Sequence, residues 1–147
     1  MSVTAAGVFR RTPLERADQR VAWERGDQAF FAAGACHILA FTCRELHPGR
    51  EIGLTAMTMA GDEHPFHVYA TWEAWAFDAS GWNLEQEVLT VNAAFENRRI
   101  ERARITTGLA EFCAAHLHRM PDGYWQNPLP RARAYVRRFT PPWTVTA

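Results

Sequence analysis

The sequence predicts an α+β domain in which helices come first, a small antiparallel sheet follows, and further helices complete the chain. Apolar residues recur at helical spacing in the first 46 residues and again beyond residue 84. Between these parts, short apolar or alternating stretches are separated by turn residues, as is typical of strands. Helices and strands grouped in blocks indicate an α+β fold rather than repeated βαβ units. The 147 residues are most simply one domain over 1–147, with 1–11 as a loose N-terminal arm.

Composition and charge narrow the function classes. Hydrophobic residues make up 48% of the chain and charged residues 22%, and the formal net charge is zero. A neutral chain shows no electrostatic footprint for nucleic acid or for an anionic membrane. No apolar run approaches the roughly 20 residues that span a bilayer, and the N-terminus has no signal-peptide core. Three cysteines without framework spacing indicate free thiols in a reducing compartment. We therefore expect a soluble, cytoplasmic protein, and export without a cleaved signal stays open.

The first helix has a well-marked start. Thr12 is a good N-cap, and Glu15 completes a capping box three residues later. The apolar stripe that follows predicts one helix that ends at Gly26. Asp27 then caps a short helical segment.

The remaining elements follow from periodicity and from turn signals. We expect a strand over 51–59 and two short strands around a tight turn over 66–82. Asn83 is a candidate cap for the next helix. The predicted helices cover 84–99, 103–120 and 131–139.

A cysteine stands where a buried helix begins. Cys36 follows Gly34-Ala35, and the helix after it is apolar nearly all round, so it should be central. The positive end of a helix favours a thiolate, which makes Cys36 a candidate nucleophile. The alternative is a core thiol, the interpretation that we also give Cys43 and Cys113.

The hairpin over 66–82 brings a histidine and an aspartate to one face. With Trp72-Glu73 at the centre of the turn, His67 lies directly opposite Asp78, within reach of a hydrogen bond. Side chains alternate between faces. One face carries Val68, Ala70, Trp75 and Phe77, and the other carries His67, Tyr69, Ala76 and Asp78. The alternative is an exposed strand pair with a polar outer face.

Together these residues form a catalytic set. Cys36 supplies the nucleophile, His67 takes and returns the proton, and Asp78 fixes the tautomer and orientation of the ring. The helix N-terminus lowers the pKa of the thiol and offers backbone N–H groups to an oxyanion.

The order Cys36, His67, Asp78 resembles the papain-like superfamily, especially its transglutaminase-like and arylamine N-acetyltransferase-like branches. The resemblance covers about residues 28–82 and is carried by "GACH", "HVYA" and "FDASGW". It implies a papain-like core, with the Cys36 helix packed on a small antiparallel sheet. It also implies thiol-based acyl transfer without a cofactor, by amide or ester hydrolysis, deamidation or transfer to an amine. The substrate would be a protein, peptide or small-molecule acyl compound. Gln28 is then a candidate oxyanion donor.

Two other classes stay open. A non-catalytic binding domain on the same fold predicts an unreactive, buried Cys36. A metal-binding protein predicts stoichiometric zinc, but no CxxC or HExxH motif is present. The possible ligands are Cys36, His37, Cys43, His47, His64, His67, Cys113, His116 and His118.

Other histidines and the C-terminal arginines have simpler interpretations. We expect His37 to cover the first turn of its helix, and His116 and His118 to lie on a solvated helix face. The arginine-rich segment over 131–138 is expected to be a solvated helix face rather than a nucleic-acid surface.

Overall fold

A computed structural model describes residues 11–144 as an α+β structure with a five-stranded antiparallel sheet. The predicted N-terminal arm lies, apart from Arg11, outside the described residues. The helices are α1 (Pro13–Ala17), α2 (Gln19–Trp23), α3 (Asp27–Ala32), α4 (Cys36–Leu46), α5 (Glu85–Glu96), α6 (Leu109–His116) and α7 (Leu129–Val136). The strands are β1 (Gly53–Met59), β2 (His67–Trp72), β3 (Trp75–Asp78), β4 (Gly81–Leu84) and β5 (Ile100–Arg104). No helix within 11–144 is long and apolar enough to cross a membrane.

The N-terminal segment forms two short helices, not the single predicted one. Thr12 and Glu15 make the expected capping box, with N···O distances of 3.2 and 2.7 Å. The chain then breaks at Asp18, whose carboxylate accepts hydrogen bonds from two backbone N–H groups at the start of α2. Aspartate offers the backbone this alternative to a continuous helix, so it favours caps over helix interiors. Gly26, not Asp27, is the N-cap of α3.

Helix α4 is the centre of the core. It begins at Cys36, as predicted, and every residue from Cys36 to Cys43 is buried. It contacts β1, β2 and β3 on one side and α3, α6 and α7 on others. A helix surrounded in this way needs an apolar surface all round, which explains its sequence.

The sheet has the order β4-β3-β2-β1-β5, with every neighbouring pair antiparallel. Val68, Ala70 and Phe77 share a hydrophobic cluster with α4. On the opposite face, Tyr69 and Ala76 pack with Met57 and with Val88 of α5. The predicted division of the hairpin into two faces is therefore confirmed.

Two strands were not predicted. Asn83 is not a helix cap; it lies in β4, and its buried amide donates to the Ser80 carbonyl. The predicted helix over 103–120 is also wrong at its start, because β5 ends at Arg104 and α6 begins at Leu109. Strand β5 pairs with the open edge of β1. That edge offers backbone partners which outweigh local helix propensity.

The arginine-rich segment is not a uniformly solvated face. Arg131 on α7 is 18% exposed at its side chain, and its guanidinium donates to Asp27 Oδ1 and to the carbonyls of Trp23 and Arg25, each at 2.7 Å. Nearby on α7, the Tyr135 hydroxyl donates to the Ala79 carbonyl. Helix α7 thus ties the N-terminal helices to the β3–β4 turn.

Candidate active site

The thiol of Cys36 lies at an uncapped helix N-terminus. Its N-cap, Ala35, has no side-chain hydrogen bond, and the first-turn N–H groups have no partner within the helix. These groups and the helix dipole create positive potential around the sulfur. Gly34 adopts φ +119°, which side-chain-bearing residues rarely reach, and its carbonyl accepts a hydrogen bond from the Tyr124 hydroxyl. The glycine and the tyrosine together fix where the chain enters α4.

His67 and Asp78 form a buried pair near the start of β2. Their Nε2 and Oδ2 atoms are 3.0 Å apart, and each side chain is 3% exposed. Since an ionised carboxylate only accepts hydrogen bonds, Nε2–H of His67 is the donor. The second oxygen, Oδ1, accepts from the Ser80 backbone N–H at 2.8 Å. Both carboxylate oxygens are therefore held in place.

The predicted register of the hairpin is wrong by two residues. Trp72 pairs with Trp75 and Ala70 with Phe77, so the turn lies at Glu73-Ala74. His67 and Asp78 are then diagonal rather than direct neighbours. A two-residue shift keeps each side chain on its face. Diagonal neighbours remain within reach of a long side chain such as imidazole, which explains why the pair forms.

The other ring nitrogen of His67, Nδ1, is not used by Asp78. Nδ1 is buried and has no hydrogen-bond partner of ordinary geometry among residues 11–144. Burial lowers the pKa of His67, but the hydrogen bond to Asp78 and the contact with Cys36 raise that pKa to about 10. Catalytic hydrogen bonds are often long or poorly aligned before substrate binds. Nδ1 is thus the atom available to exchange a proton with Cys36.

His37 brings a second imidazole to the same sulfur. It is 1% exposed, and its Nε2 donates to the Arg119 carbonyl at 2.7 Å. Burial lowers the pKa of His37, whereas interactions with Cys113 and Cys36 raise it to about 9. His37 therefore does more than cover the first turn. It connects α4 to the segment after α6.

The two imidazoles decide the ionisation of the thiol. Burial raises the pKa of Cys36, but hydrogen bonding and charge from His37 and His67 outweigh it and leave that pKa well below the ordinary value. Cys43 on the same helix lacks these partners, and burial raises its pKa to about 12. Cys36, unlike Cys43, is therefore set up as a thiolate near neutral pH.

A cleft of about 420 Å³ gives access to Cys36. It is lined by Arg11, Gly34, Cys36, His37, Pro65, Phe66, Leu117, His118 and Arg119. Its volume suits a side chain or a small molecule. The His118 ring contacts the His37 ring edge-on at 4.9 Å, so His118 is part of the site rather than of a solvated face. Burial lowers the pKa of His118.

Gln28 does not line this cleft. Its side-chain amide donates to the Ala79 carbonyl at 3.4 Å. The role of Gln28 as an oxyanion donor stays a prediction. The first-turn N–H groups of α4, which begin at Cys36 and have no side-chain cap, are the oxyanion donors that the helix start offers.

Sequence reasoning did not find several residues around Cys36. Arg11, Tyr124, His118 and Arg119 come from parts of the chain far from Cys36 in sequence. Their approach to α4 depends on tertiary packing, which no local pattern records. The carbonyls of Gly34 and Arg119 also have no signature in the sequence. Within residues 11–144, no group of three or more His, Cys, Asp or Glu side chains is placed to hold a metal ion.

Comparisons with protein-family models, with curated proteins and with solved structures each returned no match to this chain.

Proposed function

We propose that this protein is a thiol-dependent acyl-transfer enzyme with Cys36 as nucleophile, His67 as general base and acid, and Asp78 as orienting carboxylate. The observation that carries the proposal is the meeting of an uncapped helix-start thiol with a buried imidazole–carboxylate pair at a cleft. The order of these residues, and a helix bearing Cys36 against an antiparallel sheet, support a papain-like core.

Each step of the reaction has a group to perform it. The Cys36 thiolate attacks an amide or ester carbonyl, and a C–S bond forms. Nδ1–H of His67 donates its proton to the leaving amine or alkoxide as the acyl carbon loses that group. Water or an amine then gives a proton to Nδ1 and attacks the thioester, and the C–S bond breaks. First-turn N–H groups of α4 stabilise each oxyanion.

Asp78 orients the His67 ring and stabilises its charged form throughout this cycle. By accepting from Nε2–H, it holds the neutral ring in the tautomer whose Nδ1 carries no proton and can accept one from the thiol. It also stabilises the imidazolium that accompanies the thiolate. Hydrolysis, deamidation and transfer to an amine all share the thioester, so the proposal covers this reaction class.

A generic acyl donor tests the proposal directly. Purified protein is treated with p-nitrophenyl acetate, phenolate release is followed, and the acetylated residue is identified by peptide mass spectrometry. We expect an acetyl group on Cys36, with Cys43 and Cys113 unmodified as internal controls. The His67→Ala variant is expected to acylate about 10²- to 10⁴-fold more slowly. Absence of a Cys36 adduct would favour the non-catalytic binding domain instead.

A further inference from the structure

Two arginines stand in the wall of the Cys36 cleft. Arg11 and Arg119 both line it, and none of the Asp or Glu residues within 11–144 does. A methyl group on Gly34, the residue two before the nucleophile, would lie 3.6 Å from the Arg11 guanidinium carbon. The Arg119 carbonyl accepts from His37. Arg11 and the backbone of Arg119 therefore both lie beside the start of α4, where the acyl group reacts.

Neither guanidinium is neutralised by a described carboxylate. Among the ion pairs formed within residues 11–144, none includes Arg11 or Arg119. Glu15, a carboxylate whose pKa is lowered by the Thr12 backbone and in smaller part by Arg11, already accepts from the Thr12 backbone N–H and pairs with Arg25. The Arg119 guanidinium instead lies 5.3 Å from the centre of the Tyr124 ring.

The two charges act on each other. Burial lowers the pKa of Arg11, and the positive charge of Arg119 lowers it further. Arginine still stays charged at neutral pH. Crowding like charges at a partly buried place costs free energy, which an anion between them would relieve. Three further wall residues, Pro65, Phe66 and Leu117, are apolar, and Leu117 is 80% exposed.

We propose that the cleft binds acyl substrates that carry a carboxylate beside the reacting carbonyl, with Arg11 and Arg119 as the residues that bind it. This inference rests on the proposed function. The planar guanidinium fork matches a carboxylate in two parallel hydrogen bonds, so the pair sets both affinity and orientation. Acidic peptides and small dicarboxylic acid derivatives belong to this class.

The preference of the cleft for anions is measured by comparing how fast an anionic and a neutral reagent alkylate Cys36. A thiolate attacks the iodine-bearing carbon of iodoacetate or of iodoacetamide, a C–S bond forms and iodide leaves, and the two reagents differ in one negative charge. The rate constant with iodoacetate divided by that with iodoacetamide is measured at Cys36 and, as the reference, in N-acetylcysteine amide at neutral pH. We expect the Cys36 ratio to exceed the reference about tenfold, as positive clefts do for anions. High salt should reduce the excess, because it screens charges beyond about 3 Å at 1 M.

The imidazolium ions of His37 and His67 also attract anions. Arginine variants therefore show how much of the rate ratio is due to Arg11 and Arg119. Arg11→Gln and Arg119→Gln are each expected to lower the ratio about 2- to 5-fold. Arg119→Lys keeps the charge and most of the ratio. Arg99→Gln is the matched control, since Arg99 is 79% exposed and does not line the cleft. Circular dichroism checks that each variant is folded.

The outcomes distinguish this inference from the proposed function. If Cys36 reacts as slowly as Cys43 with both reagents, the nucleophile assignment fails. If Cys36 reacts fast but its ratio equals the reference, or is unchanged in both glutamine variants, the carboxylate preference alone is overturned. As a second readout, p-nitrophenyl hemisuccinate should acylate Cys36 faster than p-nitrophenyl acetate, and Arg11→Gln should reduce that advantage.

Discussion

At the residue scale, the site consists of the Cys36 sulfur and two imidazole rings, those of His37 and His67. His67 and His37 both lower the pKa of Cys36, yet their outer nitrogens meet different partners. Nε2 of His67 donates to a carboxylate, and Nε2 of His37 donates to a backbone carbonyl. A carboxylate stabilises an imidazolium more than a carbonyl does. We therefore assign the proton transfers to His67 and a supporting electrostatic role to His37.

Asp78→Asn tests this assignment. Removing the charge is expected to lower the pKa of His67, because the hydrogen bond to Asp78 is the main contribution that raises it. Acylation of Cys36 by p-nitrophenyl acetate should fall about 10²- to 10⁴-fold. Asp62→Asn, at a half-exposed carboxylate paired with Arg98, is the control and should retain the rate. Equal rates in Asp78→Asn and wild type would refute the role of Asp78.

Gly34→Ala tests how the nucleophile is held. Space is not the obstacle, because the nearest atom to an added Cβ lies at 3.6 Å. The φ of +119° is the obstacle, and forcing alanine into it costs about 1–3 kcal/mol. We expect the free energy of unfolding in urea to fall by that amount and Cys36 acylation to slow. Gly49→Ala, where an added Cβ meets nothing within 4 Å, should change stability by less than about 0.5 kcal/mol.

At the scale of elements, distant parts of the chain fix α4. Tyr124 holds the segment before the helix, His37 binds the carbonyl of Arg119, and α7 packs along it. Arg131 joins α7 to α2 and α3 through three hydrogen bonds. The site therefore depends on contacts far from Cys36.

Arg131→Lys tests whether the hydrogen bonds of the Arg131 guanidinium hold α7 to α2 and α3. Lysine keeps the charge but lacks the planar fork that reaches Asp27 and the Trp23 carbonyl together. Loss of hydrogen bonds to a charged group is expected to cost about 1.5–3 kcal/mol in urea unfolding. Arg133→Lys, at a more exposed arginine whose nitrogen lies 3.5 Å from Glu45, is the matched control and should cost less than about 1 kcal/mol. If both variants lose the same free energy of unfolding, the hydrogen bonds of Arg131 do not hold α7 to the N-terminal helices.

The local sequence pattern predicts only part of the fold and of the candidate site. The start of α4 at Cys36 and the faces of the hairpin depend on periodicity, which is local, so both predictions are confirmed. The exact register depends on where the turn lies, and Glu73 takes φ +50° there, which its residue type does not signal. Strand β5 forms because β1 offers an edge. Arg11 and Arg119 reach the cleft only through tertiary packing.

At the scale of the whole molecule, the ionisable groups of the site make the free energy of unfolding depend on pH. The Cys36–His67 pair holds one proton in the folded state, as a thiolate with an imidazolium. The unfolded pair also holds one proton between the ordinary pKa values of 6.5 and 9.0, on the thiol. Equal proton numbers give no pH dependence in that window. His37 adds a second proton to the folded site, because folding raises its pKa from 6.5 to about 9.

The stability that His37 contributes is therefore present in full below about pH 6.5 and is lost as the pH rises to about 9. We expect the free energy of unfolding in urea to fall across this window by up to about 1.4 kcal/mol per pH unit. His37→Gln should flatten the decline. His118→Gln is the control and should retain it, because burial lowers the pKa of His118 and moves its titration below the window. A steep decline in His37→Gln would contradict the charge assigned to His37.

The most direct test of the central claim is the pH dependence of Cys36 alkylation by iodoacetamide, with Cys43 and Cys113 as internal controls and His67→Ala measured alongside. We predict fast alkylation of Cys36 well below the free-thiol pKa of about 8.5, and loss of that advantage in His67→Ala. If Cys36 reacts as slowly as the other two thiols and is indifferent to His67, no activated thiol exists and Cys36 is core packing.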